Sequence, residues 1–204
     1  MQADPFPKQP HSGRRIVVIG STCSGKTTLA ALLAQRLSVS HVELDALHWQ
    51  PNWTETPLDT FREYVADALS APEWVVDGNY HKVRDIVWIR ADTIIWLDYA
   101  LPVILARLFK RTLRRIFTRE ELWNGNRETL RGVLLSRDSL LLWALKTYRR
   151  RRRETPIWLA RPEYQHLTLI HLTSPRAADR WLAQSEVSPA DLPHPGALIH
   201  PDQH

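Results

Sequence analysis

The eight residues Gly20-Ser21-Thr22-Cys23-Ser24-Gly25-Lys26-Thr27 satisfy the spacing G-x-x-x-x-G-K-[ST], and no other feature of the chain constrains its fold as much. The run Arg14 to Ile19 before them reads as a strand, and the alanine- and leucine-rich stretch Thr28 to Leu37 after them reads as a helix. In such a unit the loop N–H groups and the helix N-terminus converge on one anion. The glycines let the backbone approach phosphate oxygens that a Cβ would hold off. Lys26 is then set to reach the β- and γ-phosphates and Thr27 to ligate Mg²⁺, with Gly20, Ser21, Ser24, Gly25 and Thr28 completing the nucleotide contacts. Cys23 reads as a small loop residue whose N–H faces phosphate, since no neighbouring base suggests a redox or nucleophilic role. The alternative, a glycine turn with an incidental lysine, fits poorly with a chain that has only seven glycines.

Five short apolar runs alternate with helical stretches: Ile16 to Ile19, Val42 to Leu44, Trp74 to Val76, Thr93 to Leu97 and Leu167 to Leu172. Continuous apolar strands of this kind predict a five-stranded parallel sheet with helices on both faces, a doubly wound α/β fold. A length of 204 residues suits one domain, expected over residues 14–183. Half of the fourteen prolines lie in residues 1–13 and 184–204, which read as a flexible arm and a flexible tail. The tail histidines His194, His200 and His204 lack metal-ligand spacing and read as solvated. Residues 1–13 have no apolar block of a secretory signal, and the longest nearly apolar stretch, Tyr99 to Phe109, is broken by Pro102 and Arg107. The single cysteine excludes an internal disulfide, so a cytoplasmic location is expected.

The net charge of +5 is concentrated. Residues 107–153 carry fifteen Lys or Arg against four acids, a local +11 that leaves −6 for the remainder. Such a segment calls for an anionic partner, whether a phosphate-bearing small molecule, nucleic acid or a membrane surface. Its first part predicts a helix from Pro102 toward Phe117, with Leu105, Leu108, Leu113 and Ile116 on one face and Arg107, Arg111 and Arg114 on another. The polar stretch Thr118 to Arg137, with the turn Asn124-Gly125-Asn126, is a candidate lid over residues 111–137. The run Arg149 to Arg153 points around a helix rather than along one face and reads as a solvated helix end complementing the dipole.

Four acids are candidates for chemistry. Asp77 follows an apolar strand and should project at the sheet's C-terminal edge, suited to an outer-sphere Mg²⁺ contact or to a simple Asp-Gly turn. Glu43 and Asp45 share a face if their strand runs through both; Asp45 is read either as the group that takes the acceptor's proton or as a helix N-cap. Asp98, also at a strand end, is the substitute for Asp77. The aromatic rings of Trp49 and Trp53 suit a base or sugar face, or the core, and His48 reads as a loop or cap residue. Arg84 is either a clamp on an anionic acceptor or a surface arginine.

Together these stretches resemble the adenylate kinase-related P-loop kinases, specifically the branch labelled DNA topology-modulation proteins. The resemblance is carried by Gly20 to Thr28, Glu43-Leu44-Asp45-Ala46-Leu47-His48-Trp49 with Pro51-Asn52-Trp53, and Trp74-Val75-Val76-Asp77-Gly78-Asn79-Tyr80. It extends through Thr93 to Asp98 and Arg114-Arg115 to Glu120-Glu121-Leu122-Trp123-Asn124-Gly125-Asn126-Arg127. It implies a P-loop NTPase fold like that of nucleoside monophosphate kinases, a mobile helical lid, ATP as donor and Asp77 beside Mg²⁺. It also implies that Arg111, Arg115 and Arg119 enter the lid, that Arg131 and Arg137 return from it, and that Arg176, after the last strand, borders the adenine. A pair similar to Glu43 and Asp45 in shikimate-type kinases implies that one acid helps to hold Mg²⁺ and the other accepts the acceptor hydroxyl's proton, with Asp45 favoured for the proton. The branch departs from true adenylate kinases on the acceptor side, so the expectation is an ATP- and Mg²⁺-dependent phosphotransferase with a small-molecule acceptor of unassigned identity. The alternatives are a nucleic-acid-binding regulatory P-loop ATPase, or a protein that holds nucleotide structurally.

Overall fold

The structure, a computed structural model, describes residues 14–118, 123–126, 140–184 and 198–199. Strand β1 (Arg15–Gly20) runs into helix α1 (Lys26–Leu37), followed by β2 (Ser40–Glu43) and a short helix α2 (Leu44–His48). A hairpin of β3 (Trp49–Gln50) and β4 (Thr54–Glu55) leads to α3 (Leu58–Ala68) and β5 (Trp74–Asp77). Next come α4 (Arg84–Arg90), β6 (Thr93–Leu97) and the long helix α5 (Leu101–Thr118). A 3-10 turn at Trp123–Gly125 precedes α6 (Leu140–Leu159), β7 (Thr168–Leu172), α7 (Pro175–Gln184) and β8 (Leu198–Ile199). Ser174 caps α7, its hydroxyl accepting from the Ala177 N–H at 3.1 Å.

The main sheet is wholly parallel in the order β2-β5-β1-β6-β7-β8. Its first five strands are the five expected. The sixth, Leu198–Ile199, lies in the stretch read as a tail and pairs there with β7. Every residue of β1, β5 and β6 is buried, as strands covered on both faces must be. The alternation of side chains divides the core in two. Ile16, Val18, Val75, Ile95 and Ile170 pack with Leu29, Leu33 and Leu37 of α1 and Ile104 of α5. Val17, Ile19, Val76, Ile94 and Trp96 pack on the other face with Phe61 and Val65 of α3 and Val87 and Trp88 of α4.

Because all six strands point one way, Glu43, Asp77 and Gly20 finish along one edge. Glu43 stands beside Asp77, and Asp77 beside Val18, two residues before Gly20. The chain leaves β1 toward β2 and β5 on one side, then toward β6 and β7 on the other, opening a crevice at β1 where such sheets bind ligands.

Two expectations for local structure change. Strand β2 ends at Glu43, so Glu43 and Asp45 do not share a strand face; Glu43 takes the N-cap position of α2 and Asp45 lies inside its first turn. The run Arg149 to Arg153 is not a helix end, because α6 continues through Leu159 with Pro156 in its last turn. On α5 the buried stripe is Ile104, Leu108 and Thr112, while Leu105 and Leu113 are half-buried.

Candidate active site

The loop between β1 and α1 depends on its glycines. A Cβ on Gly20 would stand 2.6 Å from the Leu97 carbonyl oxygen of β6, and Gly25 has a φ of +95°, which L side chains rarely adopt. Gly25 is the N-cap of α1 and brings no side-chain cap, and the first turn has no acid. The leading N–H groups of α1 therefore face the loop's interior without a side-chain acceptor, an arrangement suited to an anion. Cys23 is half-buried at φ +59° in the bend. Lys26 folds back over the loop, its ammonium donating to the Ser21 carbonyl at 3.1 Å. Ser21 and Ser24 are buried, and Thr27 and Thr28 are exposed at the start of α1.

Asp77 joins this loop directly. The Thr27 hydroxyl donates to Asp77 Oδ2 at 2.8 Å, and His41 Nε2 lies 2.9 Å from Asp77 Oδ1. Register explains both contacts. Asp77 follows Val75 by two residues, so it shares the α1 face of the sheet, and His41 is paired with Val75 on the neighbouring strand. The carboxylate is 3% exposed. Asn79 completes the junction: its Oδ1 accepts from the Gly20 N–H at 3.1 Å while its Nδ2 donates to the Gly20 carbonyl.

Asp98, the substitute candidate, is otherwise engaged. Arg152 Nε lies 2.8 Å from Asp98 Oδ1 and His171 Nε2 lies 3.2 Å from Oδ2. Glu43 accepts the indole N–H of Trp123 at 2.9 Å. Asp45 is half-buried and accepts the Tyr80 hydroxyl. Burial first, and then the charge of Asp45, push the Tyr80 phenol well above its ordinary value, so it remains a donor to Asp45.

The basic segment turns inward at several points. Arg107 of α5 donates to the Ser24 carbonyl at 2.8 Å. Arg111 and Arg115 follow one and two turns further along α5, both half-buried. Arg151 of α6 is within electrostatic reach of Lys26, Asp45 and Tyr80. Burial, and next Arg150, pull Arg151 down to about 10; burial, and next Arg151, pull the Lys26 ammonium below its ordinary value. Arg151 remains a cation at neutral pH. Arg119, Arg131 and Arg137 lie outside the described residues, as does most of the expected lid. Arg176 is exposed in the first turn of α7.

One part of that lid segment is fixed against the β3–β4 hairpin. Asn126 is buried, donates to the carbonyls of Gln50 at 2.9 Å and Trp123 at 2.8 Å, and accepts the Trp53 N–H at 2.8 Å. Asn124 donates to the Trp49 carbonyl. Trp49 and Trp53 meet edge to face at 5.6 Å, and His48 is buried among Trp49, Phe61 and Tyr80. His48 is thus a core residue at the end of α2.

Sequence reading missed His41, Asn79, Tyr80 and Arg151. Asn79 and Tyr80 stand in the quoted stretch Trp74 to Tyr80, directly after Asp77-Gly78. His41 carries no motif, and its register beside Val75 becomes visible only in the assembled sheet.

The donor set also fits Mg²⁺. Among the described residues no group of three or more His, Cys, Asp or Glu side chains is placed to hold a metal. A hydroxyl and a carboxylate 2.8 Å apart beside a phosphate loop supply the hard oxygen ligands that Mg²⁺ takes together with phosphates and water.

No family model and no curated protein matches the chain. Among solved structures, a sugar kinase from Janibacter sp. HTCC2649 is similar at 21% identity and a TM-score of 0.48, covering 88% of this chain and 98% of that one. A gluconokinase from Sinorhizobium meliloti 1021 is similar at 19% identity and a TM-score of 0.45, over 84% and 97% of the two chains. The shikimate kinase of Aquifex aeolicus VF5 is similar at 17% identity and a TM-score of 0.37, over 70% and 98%. What each of those proteins phosphorylates is a property of that protein. The site of this chain rests on its own residues.

Proposed function

We propose that the chain is an ATP- and Mg²⁺-dependent phosphotransferase with a small-molecule acceptor, a member of the adenylate kinase-related P-loop kinases. The observation that carries this reading is the Thr27–Asp77 hydrogen bond at the uncapped start of α1, with Lys26 beside it. Gly20, Ser21, Cys23, Ser24, Gly25, Lys26, Thr27 and Thr28 hold the triphosphate, and Arg176 borders the adenine. Thr27 and Asp77 hold Mg²⁺, which when bound neutralises charge on the phosphate oxygens.

On the acceptor side, Asp45 orients the attacking hydroxyl and takes its proton on a carboxylate oxygen, while the Tyr80 hydroxyl fixes that carboxylate. Arg111, Arg115, Arg131 and Arg137 of the lid, with Lys26, stabilise the charge on the transferring group and exclude water on closure. The parallel sheet edge aligns donor and acceptor for in-line attack. A nucleic-acid-binding ATPase would draw on the +11 segment, but Arg107 and Arg152 direct their charge to Ser24 and Asp98 of the chain itself. No described helix is long and apolar enough to cross a membrane.

Transfer of label from γ-labelled ATP to a panel of nucleotides, sugars, polyols and hydroxy acids tests the reading. Mg²⁺-dependent labelling of at least one small acceptor is expected. ATP binding without transfer to any member, alongside tight binding of one nucleic acid at physiological salt, would overturn it.

A further inference from the structure

Beneath the site lies a cavity of about 250 Å³ between α4 and α6, walled by Ile19, Gly78, Asn79, Tyr80, Val87 and Trp88 among others. That volume is enough for a compact molecule. Its wall carries Arg84, Arg150 and Arg151 against one acid, Glu154, which reaches Arg150 at 3.8 Å. Arg84 is not a surface arginine: its guanidinium lies 4.1 Å from the ring centre of Trp158 and 5.0 Å from that of Trp88, half-buried. Contact with indole faces holds a guanidinium while leaving its in-plane N–H groups available for hydrogen bonds. Tyr80 and Arg151 link the cavity to Asp45, the first by a hydrogen bond and the second by charge.

A concave site with three guanidinium groups and one carboxylate selects an anion, and planar guanidinium groups match carboxylate or phosphate oxygens. We propose that this cavity seats the anionic group of the phosphoryl acceptor, so that the acceptor is a compact molecule carrying a carboxylate or phosphate together with the hydroxyl met by Asp45. The inference rests on the phosphotransferase reading and adds the substrate class.

The test uses the full chain with its phosphate loop filled by a non-hydrolysable ATP analogue and Mg²⁺. Tryptophan emission, to which Trp88 and Trp158 in the wall contribute, is followed during titration with glycerol, glycerate and glycerol phosphate. The two anions should bind at least about tenfold more tightly than glycerol, as expected for one charge-assisted hydrogen bond, and the tighter of them separates the carboxylate from the phosphate source. Arg84→Gln and Arg151→Gln should each erase that preference, and Arg84→Gln should leave affinity for the ATP analogue unchanged. Glu154→Gln should strengthen anion binding severalfold, a gain that misfolding does not produce.

Absence of any anion preference at millimolar concentration, or its survival in both arginine variants, overturns the proposal. Transfer to neutral polyols without an anion preference leaves the kinase standing and removes this inference. Anion binding that Arg84→Gln abolishes, with no transfer to any acceptor, removes the kinase reading and keeps the cavity as an anion site.

Discussion

His41 Nε2 stands 2.9 Å from Asp77 Oδ1, so the carboxylate that takes the Thr27 hydroxyl on one oxygen is held by an imidazole on the other. Asp77 therefore meets α1 with a fixed orientation, while Asp45 is held separately by Tyr80.

The two acids should separate kinetically. Asp77→Asn should raise the Mg²⁺ concentration for half-maximal activity by about tenfold or more, the loss of one charge-assisted contact. Asp45→Asn should leave MgATP affinity near normal and lower the transfer rate by about a hundredfold or more, the usual contribution of a positioned base. Steady-state kinetics across a Mg²⁺ series distinguish them; normal rates in both variants would reassign the acidic roles.

Lys26→Ala should abolish transfer and weaken ATP binding without weakening the fold. The ammonium's pKa is lowered by burial and by Arg151, so the charged form costs stability below that lowered value. The cost fades as pH rises through the folded pKa toward the unfolded value of 10.5. Thermal melts should show the variant at least as stable as the parent near neutral pH, with the gap closing in alkali. A less stable variant at neutral pH contradicts this.

His48 should make stability sensitive to mild acid. Burial lowers its pKa from 6.5, so the folded state disfavours the protonated ring. Its contribution is intact above 6.5 and is lost as pH falls through the lowered folded value. Urea midpoints measured against pH should therefore drop more for the parent than for His48→Leu. Parallel curves would show that the ring does not titrate against folding.

Asn126→Ala should cost about 1 kcal/mol, because it removes the partner of the Trp53 N–H and the Gln50 carbonyl in a part-buried junction. Limited proteolysis should then open both the β3–β4 hairpin and the segment around residues 123–126. Opening of one without the other would mean that they do not support each other.

Duplex DNA should bind weakly and should not displace an ATP analogue. Each neutralised phosphate steepens the salt dependence by about 0.9 log units per log unit of salt, so competition assays at several salt concentrations give the number directly. A steep slope together with loss of nucleotide would favour the polynucleotide reading.

The phosphate loop and five strands were legible because local rules decide them: glycine spacing at Gly20 and Gly25, and continuous apolar runs in β1, β5 and β6. The shared face expected of Glu43 and Asp45 was misjudged because the change from strand to helix falls between Glu43 and Leu44, and a single residue there decides which way a side chain faces. Arg149 to Arg153 were misjudged for a related reason. Five consecutive helical residues cover every face, so charge alone does not say which of them turn inward. Asp98 then selects Arg152, a choice made by tertiary packing. The apposition of His41 and Asp77 needs the strand order, in which β5 separates β2 from β1.

The placement of Arg151 and Arg152 has a mechanical consequence. Neighbouring residues on a helix diverge by about 100°, so one turn of α6 addresses two different carboxylates, Asp98 by contact and Asp45 through its charge. A slip of one residue along the helix axis, or a rotation about it, withdraws both guanidinium groups together. Helix α6 is keyed in register like a two-pin plug, one pin at the end of β6 and the other toward α2.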